Sequence, residues 1–203
     1  MTIWAIVPVK PLRRGKSRLA GLLSEEQRTL LNRYLLENTL KVLKEVTEIE
    51  QTLVVSRDPA ALALTHSLGG RTVLENGAPQ FNTAIKRATM VAISQGVRGV
   101  LVLPADLPLL KSTDVKAILR RGKKGPIVVI APDRRLDGTN ALLVNPAGLI
   151  EYGYGPGSFQ RHCERATAAG AKLEVLQSKR LGLDLDLPED LEYLGGLKKL
   201  KIS

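Results

Sequence analysis

The chain has little with which to build a disulfide, a zinc cluster or a base-stacking platform. It carries one cysteine, Cys163, and two histidines, His66 and His162, in 203 residues. One thiol excludes an internal disulfide, and one thiol with two imidazoles cannot assemble a Cys/His zinc centre, so any metal must be held by oxygen. Aromatic residues make up only 3% of the chain. Single-strand binders stack bases on rings set among basic side chains, and no such interleaving runs through this sequence. Long apolar runs are missing as well. Nothing approaches the ~20 residues that span a bilayer, and the opening "MTIWAIVPVKP" lacks the charged n-region and small-residue cleavage site of a signal peptide. The expectation is a cytoplasmic protein with neither a membrane nor a nucleic-acid partner.

Positive charge is what the chain has in excess, with 30 Lys and Arg against 20 Asp and Glu, a net charge of +10. With aromatics so scarce, that charge favours a pocket for a small polyanion over a nucleic-acid surface. A composition of 44% apolar and 25% charged residues is that of an ordinary soluble domain, and we expect one domain over 1–203.

Short apolar runs at 3–9, 52–56, 71–75, 100–105, 127–132 and 141–144 read as strands. Between them lie helical patterns. The stretch from Ser24 opens with a capping box, Ser24 and Gln27, and puts Leu31, Tyr34, Leu35 and Leu43 on one face. Asp58 and Pro59 start a second helix as cap and first residue, a third runs from Phe81 to Gly96, and a fourth from Ser112 to Gly122. The β-α-β order with continuous apolar strands predicts an α/β fold with a doubly wound, mostly parallel sheet. Such folds bind ligands beyond the carboxyl ends of their strands.

After the first strand comes "KPLRRGKSRLAG", with Lys10, Arg13, Arg14, Lys16 and Arg18. Its GKS is not a P-loop, because the glycine required five residues before Gly15 is replaced by Lys10. The cations still suit an anion. After the fourth strand, "LPADLPLL" places Asp106 at the mouth of the sheet, where a carboxylate can hold Mg²⁺ or merely shape a turn. In "LDLDLPEDL", Asp184 and Asp186 alternate along an extended segment and point the same way, unless one of them only caps the last helix. "DGTN", 137–140, can present the Thr139 hydroxyl and backbone N–H groups to an anion, and is equally a hairpin turn. "EYGYGPGSFQRH" sets Gly153, Gly155 and Gly157 before a helix opened by Ser158, a phosphate loop in form rather than a merely flexible surface turn, with His162 one turn on in a hydrogen-bonded structural role. Asn82, after a turn at Gly77, either reads a base or ribose or caps the third helix. The runs "RRGKKG" and "KKLK" read as solvated helix ends.

Taken together, "VPVKPL", "GKSRLA", "LPADLPLL", "DGTNALL", "YGPGSFQRH" and "LDLDLPEDL" resemble, in order and nearly end to end, the guanylyltransferases that make the precursor of coenzyme F-420. Gly15 stands where that family often has alanine. The resemblance implies a nucleotide-diphospho-sugar transferase-like, Rossmann-like three-layer fold. It further implies GMP transfer from GTP to phosphoenolpyruvate or 2-phospho-L-lactate with Mg²⁺ as cofactor. At matching positions Lys16 and Arg18, with Lys10, would meet the GTP phosphates. Asp106 and Asp186, with Asp184, would hold Mg²⁺, and Thr139, Gly155 and Ser158 would bind the acceptor. Lys16, Arg18 and Asp106 are the expected catalytic group. A homo-oligomer and hand-off of product to the next transferase are further expectations of the resemblance.

Overall fold

The computed structural model describes residues 2–75 and 80–200, the side chains of 198 and 199 excepted. The turn expected at Gly77 and the lysine side chains of the tail lie outside these described residues. Among the described residues seven strands form one sheet: β1 (Ile3–Pro8), β2 (Ile49–Ser56), β3 (Arg71–Leu74), β4 (Gly99–Val102), β5 (Ile127–Pro132), β6 (Thr139–Asn145) and β7 (Lys172–Val175). Their spatial order is β3-β2-β1-β4-β6-β5-β7. All neighbours are parallel except β6, which runs antiparallel to both β4 and β5. The "DG" turn at 137–138 is therefore a hairpin turn in fact, joining β5 to β6. β7 was not anticipated: its two end residues are exposed and its two middle ones half-buried at the sheet edge, without the apolar run that marks an inner strand.

The described residues form six α-helices: α1 (Glu25–Lys44), α2 (Pro59–Ser67), α3 (Phe81–Ser94), α4 (Ser112–Arg121), α5 (Ser158–Ala168) and α6 (Pro188–Leu194). Two local signals act as the sequence predicts. Ser24 and Gln27 exchange both hydrogen bonds of the capping box, and Asp58 caps α2 through the Ala60 N–H with Pro59 at its first position. Strand residues alternate between two cores. Ala5, Val7, Val54 and Leu101 face one cluster with Leu36, Leu40 and Leu43 of α1 and Ile118 of α4. Trp4, Ile6, Leu53 and Val100 face the other, with Ile85 and Ala88 of α3 and Ala166 of α5. No helix among the described residues is long and apolar enough to cross a membrane.

A third, smaller core positions the site. Leu19, in a 3-10 helix at Ser17–Leu19, packs with Leu31 and Leu35 of α1, with Leu183 and Leu185, and with Leu191 and Leu194 of α6. Leucines buried at 183 and 185 turn the aspartates between and after them toward the sheet's carboxyl edge. At roughly 1.5–3 kcal/mol for each fully buried leucine, the same packing that anchors α6 brings the first loop and the acidic segment together.

Candidate active site

A cavity of about 390 Å³ opens beyond the carboxyl ends of β1 and β4. Lys10, Lys16, Asp106, Asp184 and Asp186 line it together with Thr139, Gly155 and Ser158, so every one of these sequence-selected residues meets in one place. Two do not. Arg18 lies outside the lining with its side chain 68% exposed, and its guanidinium stands 3.5 Å from Asp186. Asn82 is committed elsewhere: its Nδ2 donates to the Tyr154 carbonyl at 3.1 Å and its Oδ1 accepts from the Tyr154 N–H at 2.7 Å. The expectation that Asn82 reads a base or ribose is corrected accordingly. It staples α3 to the glycine loop, and Gln80 is the residue at the helix cap.

Lys16 is the centre of the charged half. Its side chain is only 7% exposed, and Nζ sits 3.0 Å from Asp186 Oδ1 and 3.4 Å from Asp106 Oδ2. The backbone there is left-handed, φ 57°, a conformation that costs an L-residue about 1–2 kcal/mol. Burial disfavours the ammonium, but attraction to Asp106 and Asp186 outweighs it and raises the pKa above its ordinary value. Asp186 answers in kind: burial works against its charge, and Lys16 beside it holds the carboxyl below the usual range.

Asp184 differs from its neighbour. Burial pushes its carboxyl up to about 6, the like charge of Asp106 adds to the shift, and the Asn140 amide opposes it. The two aspartates thus share a face and differ in environment, one beside an ammonium and one beside a carboxylate. Asp190, not either of them, caps α6: its Oδ2 accepts from the N–H of Leu187 at 2.7 Å and of Asp186 at 3.1 Å. Arg134 and Arg135 pair with its other oxygen at 2.7 and 2.9 Å. Among the described residues no cluster of three or more Asp, Glu, His or Cys side chains is close-set enough to hold a metal alone.

The opposite wall is the glycine loop and the start of α5. Here the sequence expectation needs adjustment, because the first N–H groups already have acceptors. The N–H of Gly157 donates to Asp137 Oδ1, that of Ser158 to the Gly155 carbonyl and that of Phe159 to the Asp137 carbonyl. What faces the cavity is the Ser158 residue itself, 1% exposed, with Gly155 at φ 124°. Glycine suits that φ, which an L side chain rarely adopts. Arg161 clamps the loop through the carbonyls of Gly153 and Pro156, and Arg165 through that of Glu151.

The positioning contacts of three residues escaped the sequence reading. Asn140 Nδ2 donates to the Leu181 carbonyl at 2.9 Å and to Asp184 Oδ1 at 3.2 Å, aiming that carboxylate. Asn32 of α1 and Asp58 hold the first loop by the two polar backbone groups of Leu12, at 2.6 and 2.7 Å. A Cβ at Gly15 would fall 2.6 Å from Asn32 Nδ2, so an alanine there requires Asn32 to move. Each such contact spans 20 residues or more of sequence, and no local pattern announces it.

A mostly parallel sheet with a cavity at its carboxyl edge, lined by an acidic wall, a buried lysine and a glycine loop, belongs to the nucleotidyltransferase class. Solved structures agree on the fold. A protein from Desulfovibrio desulfuricans described as a candidate nucleotide-diphospho-sugar transferase superposes with a TM-score of 0.78 at 17% identity, covering 96% of this chain and 87% of that one. A nucleotidyl transferase from Methanothermobacter gives 0.71 at 16% identity over 95% of each chain. The family is defined by sequence: residues 3–195 match the model described as "Guanylyl transferase CofC like", and the chain belongs to that family of enzymes. Among its relatives, a phosphoenolpyruvate guanylyltransferase of Rubrobacter xylanophilus is 39% identical over 96% of this chain and 94% of its own length. A 2-phospho-L-lactate guanylyltransferase of Methanocaldococcus vulcanius is 35% identical over 92% and 81%.

Proposed function

We propose that this enzyme transfers GMP from GTP to the phosphate of phosphoenolpyruvate, releasing pyrophosphate, as a step toward coenzyme F-420. One observation carries the reading: a single cavity has a cationic and acidic wall suited to a nucleoside triphosphate facing a hydroxyl and glycine wall suited to a small phosphorylated acid. Phosphoenolpyruvate is preferred to 2-phospho-L-lactate on the higher identity to the relative named for it.

In this reading the acceptor's phosphate oxygen attacks the α-phosphorus in line and pyrophosphate departs. That oxygen is already ionised at neutral pH, so the chain needs no general base, and positioning with charge neutralisation supplies the catalysis. Lys16 and Lys10 neutralise the triphosphate within the cavity, and Arg18 adds charge beside Asp186. Thr139, Gly155 and Ser158 orient the acceptor against the opposite wall.

The donor set fits Mg²⁺, which binds proteins through one or two carboxylates plus substrate phosphates and water. Asp184, whose carboxyl is raised by burial and by the like charge of Asp106, would hold it with Asp106, and Asp186 beside them. Mg²⁺ bound there supplies neutralisation of the phosphate charge.

The test is a matrix of GTP, CTP and ATP against phosphoenolpyruvate, 2-phospho-L-lactate and 3-phosphoglycerate, following pyrophosphate, with and without Mg²⁺. The expected maximum is GTP with phosphoenolpyruvate and Mg²⁺. A faster reaction with another nucleotide or acceptor reassigns the substrate, and turnover undiminished by chelator removes the metal.

A further inference from the structure

We infer that His162 is a positioning residue for acceptor binding, which turns the Thr139 hydroxyl into a committed hydrogen-bond donor toward the cavity. This rests on the reading of Thr139 as an acceptor-phosphate contact. His162 is fully buried, with two hydrogen bonds and a different partner on each ring nitrogen. The N–H of Gly153 points at Nε2 from 2.9 Å. A backbone N–H can only donate, so Nε2 must carry its lone pair, and in the neutral ring the proton resides on Nδ1. Nδ1 lies 2.9 Å from Thr139 Oγ1. Its proton therefore donates to that oxygen.

The hydroxyl's own proton must then point somewhere other than His162. Thr139 is 5% exposed, and the space it lines is the cavity. A bare threonine hydroxyl rotates freely between donor and acceptor roles; this one has one of its two lone pairs engaged from behind by the ring, so its proton is turned away from His162 and toward the cavity. That polarity suits an anionic phosphate or carboxylate. The chain of polarity begins at the Gly153 backbone, so the glycine loop and the threonine on β6 are set by one imidazole.

The groups packed against the ring support a neutral imidazole. Arg161 and Arg165 come from its own helix, the Tyr154 ring meets it edge-on with centroids 4.9 Å apart, and Thr139 faces it from β6. Burial first, then the two arginines, push its pKa down to about 4. Protonation would place a hydrogen on Nε2 against the Gly153 N–H and undo the arrangement.

Two substitutions separate the ring's two edges. His162→Asn keeps a donor near the Nδ1 position and loses the acceptor for Gly153; His162→Gln keeps that acceptor and loses the donor to Thr139. In Mg²⁺-dependent pyrophosphate assays, Thr139→Val is expected to raise the phosphoenolpyruvate KM about ten- to a hundredfold, the worth of one hydrogen bond to a charged group. His162→Gln should raise it by a comparable factor, His162→Asn by less than about threefold, and the GTP KM should hold in all of them. The double variant Thr139→Val/His162→Gln should be no worse than Thr139→Val alone, because His162 acts through the hydroxyl. A wild-type acceptor KM in His162→Gln, or multiplying effects in the double variant, overturns the inference. A separate readout needs no substrate and no variant: long-range ¹H–¹⁵N correlation of the wild-type imidazole should show Nδ1 protonated and Nε2 bare at pH 7, and the opposite tautomer overturns the inference. If the wild-type protein releases no pyrophosphate from GTP with any of the acceptors, the reading of the site falls; if it turns over and only the His162 results fail, this inference alone falls.

Discussion

Two buried groups of this protein titrate in the same pH range with opposite consequences for stability, and single substitutions should unmask each. Burial raises the Asp184 carboxyl from 3.8 to about 6. Above pH 6 the native state thus carries a charge it holds less well than the unfolded chain does, and the cost is relieved as pH falls through 6 toward 3.8. His162 runs the other way. Its pKa drops from 6.5 to about 4 in the native state, so it costs nothing above pH 6.5, and below that the unfolded chain takes up a proton the native state refuses. Each difference is a little over two pH units, at about 1.4 kcal/mol apiece, so each term amounts to about 3 kcal/mol in full. By pH 4.5 about 2 kcal/mol of each is realised. The wild-type stability should consequently change little between pH 7.5 and 4.5 from these two groups.

Urea unfolding of the wild type, Asp184→Asn and His162→Gln, at both pH values in chelator, reads the two contributions. Asp184→Asn lacks the relief and should lose about 2 kcal/mol more than wild type on acidification, whereas His162→Gln should lose about 2 kcal/mol less. The carboxylates away from these two sites are common to all three proteins and drop out of the comparison. Different neighbours act on the two sites, Arg161 and Arg165 on the histidine and Asp106 and Asp186 on the aspartate. Their contributions should add. Three parallel pH dependences would refute the assignment of opposed buried charges.

Lys16→Met should lower kcat by about 10²–10³ in the pyrophosphate assay with circular dichroism unchanged; a loss under tenfold removes Lys16 from the charge-neutralising group. Gly182→Ala would bring a Cβ to 2.9 Å from the Ser178 carbonyl oxygen, in a segment tied by the Gly182 N–H to that same carbonyl and by its own carbonyl to the Arg134 N–H. Overpacking against backbone should cost about 1–3 kcal/mol in urea unfolding, and a neutral result would mean the loop relaxes freely. Asn140→Ala removes the donor that favours the Asp184 carboxylate, so the half-saturating Mg²⁺ concentration at pH 6.5 should rise several-fold and the acid limb of kcat/KM should move to higher pH. An unmoved limb would dissociate Asp184 from the rate.

The elements that were legible in the sequence are those whose signal is local. The capping box at Ser24, the Asp58-Pro59 start and the run of buried residues in β1 each follow from neighbours within a few positions. Leu183 and Leu185 alternating with aspartates announced which way the carboxylates face, although the segment joins no strand. What stayed hidden depends on partners distant in sequence. Asn82 looked like a helix-start residue, and its real partner is Tyr154, 72 positions away. Asp190 holds the backbone of Asp186 while two arginines from the 133–138 hairpin loop hold Asp190, a network with no spacing of its own. β7 escaped because a short half-exposed edge strand lacks a long apolar run, even with the Gly170 turn just before it.

The central claim is that one oxygen of the acceptor's phosphate becomes bonded to the α-phosphorus of GTP. The most direct measurement is ³¹P NMR of the product formed from GTP and phosphoenolpyruvate by the wild-type enzyme with Mg²⁺. The account predicts two mutually coupled phosphorus doublets of a new P–O–P linkage, appearing in step with one equivalent of pyrophosphate. Pyrophosphate appearing together with free GMP while the phosphoenolpyruvate singlet persists would contradict it.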